Sequence, residues 1–180
     1  PSVTRIIDAV FPFQYAGVTD VGFAMSRGRA VHACAAMIAR GIEFEHDESI
    51  AGQVAACRKW FDDTGAVPME VERVVGSRIF QYAGTLDLIC KIGGKHFLVD
   101  WKGCIAKPVQ WQLGAYAMAF AEGGDGYKVS KGMAVQLNAD GSYNTGGPYD
   151  MVKAGREFAN VRSVYGLMDR EGLIPKKENV

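Results

Sequence analysis

The stretch "GTLDLICKIGGKHFLVDWKG", residues 84–103, decides how this chain folds. Two apolar, β-rich runs flank Gly93-Gly94, and such a dipeptide is typical of a two-residue hairpin turn. If the turn is centred there, pairing continues outward to Leu88 opposite Val99 and then to Asp87 opposite Asp100. The stretch therefore predicts a β-hairpin that carries two aspartates at its open end.

Alternation along each strand sorts the hairpin into two faces. One face is apolar and consists of Leu86, Leu88, Cys90, Ile92, Phe97, Val99 and Trp101. The other face consists of Thr85, Asp87, Ile89, Leu98, Asp100 and Lys102. Asp87, Asp100 and Lys102 of the second face gather at the end away from the turn.

The two aspartates would be direct cross-strand neighbours, with Cβ atoms about 4.5–5.5 Å apart. Like charges at that distance repel, so a positive group is expected between them. A divalent cation such as Mg²⁺ or Mn²⁺ meets this need, because hard ions prefer carboxylate oxygens. A solvated sheet edge on which Lys102 offsets the aspartates meets it equally well, and the hairpin alone leaves both interpretations open.

Length and composition suit one globular domain over residues 1–180. The chain is 48% hydrophobic and 22% charged, and no apolar run approaches the length of a membrane span. Nothing at its start reads as a signal peptide, so we expect a cytoplasmic protein with no membrane partner. Its formal net charge is zero, which gives no global electrostatic attraction for nucleic acid but leaves room for a local basic groove.

The four cysteines are Cys34, Cys57, Cys90 and Cys104. None of them forms a C-x-x-C pair, so free thiols in a reducing compartment are expected. A metal cluster held by cysteine is not expected.

Periodicity predicts the remaining elements in the order helix, helix, three antiparallel strands, helix, two strands, helix. Ser26 is the expected N-cap of the first helix and Gly41 its C-terminal stop, and the last helix is expected to be capped by Asp150. A helix after the third strand allows a crossover to a parallel strand, so a mixed sheet of the α/β or α+β class follows. A turn at Gly76-Ser77 would pair Glu72 with Gln81.

Polar residues also recur at informative spacings. His32 follows Gly28 by one helical turn, and a glycine inside a helix indicates close packing or approach of a backbone. Gln112 and Tyr116 lie one turn apart on the helix after the hairpin and point the same way. Each pattern taken alone is also typical of an ordinary core or of the boundary of an amphipathic helix.

Four short motifs follow one another along the chain: Gly28-x-x-x-His32, Gly84-x-x-Asp87, Asp100-Trp101-Lys102 and Gln112-x-x-x-Tyr116. Their order and spacing closely resemble the RecB-like branch of the PD-(D/E)XK nuclease superfamily, which includes phage recombination and repair exonucleases and CRISPR-adaptation nucleases. The resemblance spans residues 26 to about 120. The opening "SVTRIIDAVFPF" and the segment "RGRAVH" look like those of small, phage-type members.

The resemblance implies a restriction-endonuclease-like αβββαβ core and assigns roles to the motif residues. Asp87, Asp100 and Lys102 would be catalytic. Side chains of His32, Asp87 and Asp100 would bind Mg²⁺ or Mn²⁺, together with the backbone carbonyl of Trp101. Gln112 and Tyr116 would contact the substrate strand, and Glu70 or Glu72 would supply an outer or second-metal contact. Several relatives carry an iron–sulfur cluster on one early and three late cysteines, but no cysteine follows Cys104, so no such cluster is expected here.

The implied activity is metal-dependent hydrolysis of DNA, with an exonuclease on ends or single strands favoured over a site-specific endonuclease. DNA is the expected partner, in a bacterial or phage-infected cell. A homo-oligomer or a recombination-protein partner is left open. Two alternatives also stay open: a non-catalytic nucleic-acid-binding protein on the same fold, and a metal-dependent hydrolase of a small phosphoester.

Overall fold

The computed structural model of the chain describes residues 1–12, 21–105, 108–124 and 126–174. Its helices are α1 (Val3–Val10), α2 (Val21–Ala39), α3 (Ala51–Thr64), α4 (Val109–Glu122) and α5 (Met151–Arg170), and a short 3₁₀ turn at Glu48–Ile50 precedes α3. Its strands are β1 (Val67–Ser77), β2 (Tyr82–Ile92), β3 (Lys95–Lys102), β4 (Lys131–Leu137) and β5 (Tyr143–Asp150). Within the described ranges, no helix combines the length and the apolar character needed to span a bilayer.

The five strands form one sheet in the order β1-β2-β3-β4-β5. Neighbouring strands are antiparallel except β3 and β4, which are parallel and are connected through α4. This arrangement confirms the expected mixed sheet, and its helix-flanked layers fit a restriction-endonuclease-like core.

The β2–β3 hairpin has the register that Gly93-Gly94 predicts. Its ladder runs from Ile92 opposite Lys95 to Leu88 opposite Val99. Gly93 and Gly94 have φ values of 54° and 81°, and a type I′ turn requires positive φ at both central residues. The prediction is confirmed for these pairs.

Helices cover both faces of the sheet, so both faces are apolar. Residues of β2 and β3 divide between a cluster against α1, α4 and α5 and a second cluster that includes Trp60 of α3. Leu88 and Val99 belong to the second cluster, as predicted. Leu86 was expected beside Leu88 but packs in the first cluster, so strict alternation of the two faces does not hold between these residues.

The structure differs from the sequence predictions in three local features. Helix α1 was not predicted, although Ser2 accepts a hydrogen bond from the Arg5 N–H as its N-cap. Helix α2 begins at Val21 rather than at a Ser26 cap, since the apolar residues before Ser26 continue the helix. The β1–β2 turn lies at 78–81, after Ser77 has paired with Tyr82, rather than at Gly76-Ser77.

Two helix ends were predicted correctly. Gly41 follows α2 with φ of 66°, the left-handed conformation of a C-terminal stop. Asp150 caps α5 by accepting a hydrogen bond from the Lys153 N–H at 2.9 Å.

Candidate active site at the open end of the hairpin

The regular β2–β3 ladder stops just before the two aspartates. Its last pair is Leu88 with Val99, so the predicted direct pairing of Asp87 with Asp100 is not part of it. Instead, Asp87 Oδ2 accepts a hydrogen bond from the Trp101 N–H at 2.8 Å. The side chain thus replaces a backbone acceptor, and this contact orients the Asp87 carboxylate.

Both aspartates are buried. Asp87 is 8% exposed and Asp100 only 2%. Carboxylates are almost never buried to this extent without a cationic or hydrogen-bonding partner. The solvated-edge interpretation of the hairpin is therefore wrong for these two residues.

Glu72 lies across from Asp87 on β1. The pairs on either side of this position are Val71 with Leu88 and Arg73 with Leu86. Glu72 was predicted to pair with Gln81, and the difference follows from the later position of the β1–β2 turn. Its φ of 53° is left-handed, a costly conformation for a side chain of this size.

Three side chains from three elements converge at this point. One ligand atom from each of His32 of α2, Glu72 of β1 and Asp87 of β2 lies within 4.8 Å of the other two. His32 Nδ1 is 3.4 Å from Asp87 Oδ1. Two carboxylates and an imidazole form a donor set compatible with a divalent metal ion.

The local electrostatics favour a cation here. Burial lowers the pKa of His32, but the hydrogen bond and charge of Asp87 outweigh it, and the net shift is upward. Burial and the neighbouring charge of Asp87 raise the pKa of Glu72. The negative charges of Glu72 and Asp87 thus disfavour each other, and a bound metal ion would offset this repulsion.

Asp100 lies outside this three-residue group. Its Oδ2 pairs with Lys102 Nζ at 2.7 Å. Burial raises the pKa of Asp100, although the adjacent ammonium of Lys102 opposes the shift. Burial lowers the pKa of Lys102, but the charge of Asp100 reverses this and the net shift is upward, so the lysine stays protonated.

The Lys102 ammonium also joins the fourth motif to the site. Lys102 Nζ donates to Gln112 Oε1 at 3.0 Å, and Gln112 Nε2 donates to the Tyr116 hydroxyl at 3.1 Å. A Cβ placed on Gly84 would lie 2.6 Å from Tyr116 Cε1. The glycine of the second motif therefore makes room for the tyrosine of the fourth.

Two candidate residues do not bring their side chains to this point. Glu70 pairs with Arg73 at 3.0 Å and accepts a hydrogen bond from the Tyr127 hydroxyl. The Trp101 ring is buried in an edge contact with Trp60, with centroids 5.1 Å apart, so only its backbone faces the acidic residues.

Three clefts meet at the site. The first, about 350 Å³, is lined by Arg27, Gly28, Val31, His32, Gln53, Trp101, Lys102, Gly103, Leu137, Asn138 and Ala139. The second, also about 350 Å³, is lined by Thr4, Ile7, Asp8, Phe11, Lys102, Gly103, Cys104, Pro108, Val109 and Gln112. The third, about 670 Å³, is lined by Met25, Gly28, Arg29, His32, Ala33, Ala36, Met37, Arg40 and Glu72.

Shared lining residues show that the first cleft adjoins each of the other two. Gly28 and His32 belong to the first and third clefts, while Lys102 and Gly103 belong to the first and second. No described residue would come within 4 Å of a Cβ on Gly28. The close-packing interpretation of Gly28 is therefore wrong for the described part of the chain, and this glycine keeps cleft space open.

Sequence reasoning missed the contributions of α1, of α3 and of the turn after β4. Thr4, Asp8, Gln53 and Asn138 all line clefts that reach Lys102 or His32. Their signals were weak, because each is a single polar residue in a segment with no recognised motif. Helix α1 could have been found from Ser2 and the helical spacing of Val3, Ile6, Ile7 and Val10.

All four cysteines are free thiols. Cys34, Cys57 and Cys90 are buried, and Cys104 is exposed at the edge of the second cleft.

Comparison with known proteins supports the architecture. No family model matches the chain, and no curated protein matches it. Among solved structures, the crystal structure of the exonuclease LHK-Exo in complex with dAMP is similar, with a TM-score of 0.50 and 14% sequence identity. The match covers 96% of this chain and 88% of that one. At this identity the similarity establishes a shared fold.

Proposed function

We propose that this chain is a Mg²⁺- or Mn²⁺-dependent deoxyribonuclease of the RecB-like branch of the PD-(D/E)XK superfamily. We further propose that it is an exonuclease acting on DNA ends or single strands in recombination, repair or phage DNA metabolism. The observation that carries this proposal is the His32–Glu72–Asp87 group beside the Asp100–Lys102 ion pair. The fold shared with an exonuclease supports it.

The donor set at the open end of the hairpin suits a hard divalent ion. His32, Glu72 and Asp87 would hold it, and Asp100 and the Trp101 carbonyl are the further ligands that the motif pattern implies. When bound, such an ion lowers the pKa of its water and polarises a phosphoryl oxygen.

Lys102 is placed to act on the developing charge of the phosphate. An ammonium has three N–H donors and no acceptor, so it is not a metal ligand. It forms an ion pair with Asp100 and donates a hydrogen bond to Gln112, and these contacts fix its position. From this position the ammonium would donate to a phosphate oxygen or to the attacking water.

The shape of the surrounding surface favours DNA over a small phosphoester. Adjoining open clefts lie on either side of Lys102 and His32, and their walls carry Arg27, Arg29 and Arg40. Local basic residues attract a polyanion even when net charge is zero. A closed pocket would have favoured the small substrate.

Cleavage assays test the proposal directly. End-labelled linear DNA and closed circular DNA are incubated with Mn²⁺, with Mg²⁺ and with EDTA. We expect mononucleotides or short products from linear DNA, an intact circle, and no cleavage in EDTA. Cleavage that persists in EDTA would exclude the metal mechanism, whereas rapid nicking of the circle would replace the exonuclease by an endonuclease.

A further inference from the structure

An aromatic side chain is exposed at the cleft that Lys102 also lines. Phe11 follows the last residue of α1 and is 39% exposed. Its ring lies against that of Trp111 of α4, with centroids 4.8 Å apart and planes inclined by 32°. One face of the phenylalanine is thus supported by protein, while a large part of the side chain remains in contact with solvent.

The supporting ring is held in a fixed orientation. Trp111 Nε1–H donates to Glu157 Oε2 of α5 at 2.8 Å. Trp111 also directly precedes Gln112, which contacts Lys102. The aromatic pair is therefore fastened to the same helix that positions the catalytic lysine.

The second cleft joins this pair to the site. Phe11 lines one part of the cleft, and Lys102 and Gln112 line another. The cleft measures about 350 Å³, within the range of ordinary small-ligand sites. A nucleotide with its phosphate at Lys102 could thus extend into the cleft toward Phe11.

We propose that Phe11, supported by Trp111, is a stacking platform for an unpaired nucleobase next to the phosphate that is cleaved. This inference rests on the proposed nuclease function and adds a substrate subsite to it. Every nucleobase has a π-face, so an exposed aromatic ring beside a cationic group is a suitable receptor for single-stranded DNA.

The chemistry of the cleft favours a base over a second phosphate. Asp8 lines it on the α1 side, and a carboxylate there disfavours another anion. Ile7, Phe11 and Val109 supply apolar surface instead. A neutral, flat and partly apolar group suits such a surface.

Fluorescence of 2-aminopurine tests the platform without cleavage. Three single-stranded oligonucleotides carry the probe at the 5′ end, at the 3′ end or in the interior, and they are titrated in Ca²⁺ without Mg²⁺ or Mn²⁺. We expect wild-type protein to quench the probe at one of these positions through stacking. Phe11→Ala and Phe11→Leu should lose most of that quenching and bind about 5- to 100-fold more weakly.

Aromatic replacements and a matched control make the test specific. Phe11→Tyr and Phe11→Trp should retain quenching and affinity. Phe44→Leu should change neither, because Phe44 is a partly buried phenylalanine that lines none of the three clefts. Thermal unfolding checks that each variant is folded, and Phe11→Leu serves as the decisive variant if Phe11→Ala unfolds.

The possible outcomes separate the platform from the nuclease proposal. If wild type binds and cleaves DNA but Phe11→Leu quenches and binds as well as wild type, the platform is wrong and the nuclease proposal stands. If wild type neither binds the oligonucleotides nor cleaves DNA in Mn²⁺, both proposals are wrong.

Discussion

The two ends of the β2–β3 hairpin differ in the regularity of their backbone pairing. At the turn, the pairs Ile92–Lys95 and Lys91–His96 continue a regular ladder into two glycines with positive φ. At the open end the ladder stops before Asp87, whose side chain takes the Trp101 N–H. The neighbouring strand contributes Glu72 with φ of 53°.

This difference shows which end of the hairpin is built for fold stability and which end is built around the candidate metal site. The turn end uses residues whose local preferences agree with the fold, which stabilises it. The open end holds carboxylates from three neighbouring strands, of which Asp87 and Asp100 are buried, and Glu72 there has a left-handed φ. Such conflicts are expected where function maintains them, so changes at the two ends should have opposite consequences.

The largest contrast is expected between Asp87→Asn and Gly94→Ala. Asn retains an oxygen that can accept the Trp101 N–H, so the fold should persist while Mn²⁺ binding and DNA cleavage fall below detection. Gly94→Ala forces a side chain into φ of 81° and should lower the free energy of unfolding by about 1–2 kcal/mol. Its folded fraction should bind Mn²⁺ normally.

Calorimetric Mn²⁺ titration and thermal unfolding of both variants check this contrast. Normal Mn²⁺ affinity in Asp87→Asn would remove Asp87 from the metal site. A loss of affinity in folded Gly94→Ala would show that the two ends are coupled rather than separable.

The second largest contrast is expected between the DNA cleavage rates of variants at Lys102 and Lys95, the two lysines of β3. Lys102→Ala should lower the cleavage rate by about 10²–10³, the usual loss on removal of one preorganised donor to developing charge. Its Mn²⁺ affinity should stay at the wild-type value or increase, because a positive charge has been removed. Lys95→Ala removes the same charge at the turn end and should cleave normally.

Single-turnover cleavage rates and Mn²⁺ titrations measure both lysine variants. If Lys102→Ala cleaves DNA at the wild-type rate, the lysine is only a counter-charge for Asp100.

Sequence alone predicted the turn end of the hairpin but not the register of β1, and the roles of the motif residues stay predictions. Gly93-Gly94 determines its hairpin locally, since two positive φ values favour glycine. The β1–β2 turn at 78–81 contains no glycine, and Gln81 adopts φ of 53° there. The glycine at Gly76 therefore predicted a turn that is too early in the sequence, and that turn wrongly paired Glu72 with Gln81.

The same limit explains why Glu72 could not be chosen over Glu70 from sequence. The two glutamates are two residues apart on β1 and are expected from the sequence to share one face, so only the strand register decides which one lies opposite Asp87. His32 was identifiable through the motif pattern, whereas the contributions of α1 and α3 depend on long-range packing that leaves no short motif.

A smaller effect on Mn²⁺ binding is expected from glycine substitutions at Glu72 and Gln81, the two non-glycine residues of the described chain with positive φ. Glu72→Gly removes both a left-handed side chain and one carboxylate. It should weaken Mn²⁺ binding by at least about 10- to 100-fold, the loss seen when even an outer partner of a metal ligand is removed, without lowering apo stability. Gln81→Gly has the same φ of 53° and should relieve about 1 kcal/mol of strain with no change in Mn²⁺ binding.

Metal titrations and denaturant unfolding of the apo proteins distinguish these variants. Unchanged Mn²⁺ affinity in Glu72→Gly would remove Glu72 from the metal site and leave His32, Asp87, Asp100 and the Trp101 carbonyl. A loss of apo stability in Glu72→Gly would show that Glu72 supports the fold rather than the site.

The smallest effect is expected at Gly28, where stability and substrate binding should change in opposite directions. Glycine inside a helix costs about 1 kcal/mol relative to alanine. No described residue would contact a Cβ at this position, and Gly28 lines the two clefts that share His32. Gly28→Ala should therefore raise the free energy of unfolding by about 0.5–1 kcal/mol.

The new methyl group would extend into the space assigned to DNA, so the same variant should bind single-stranded DNA about 2- to 10-fold more weakly. Gly166→Ala is the matched control, because Gly166 lies inside α5 and lines none of the three clefts, and the closest atom to an added Cβ is Arg162 Nη1 at 3.2 Å. It should gain similar stability and bind DNA normally. If Gly28→Ala gains stability and binds DNA as wild type does, the substrate does not approach α2 at this turn. The path of the strand would then follow the second cleft, on the side of Phe11.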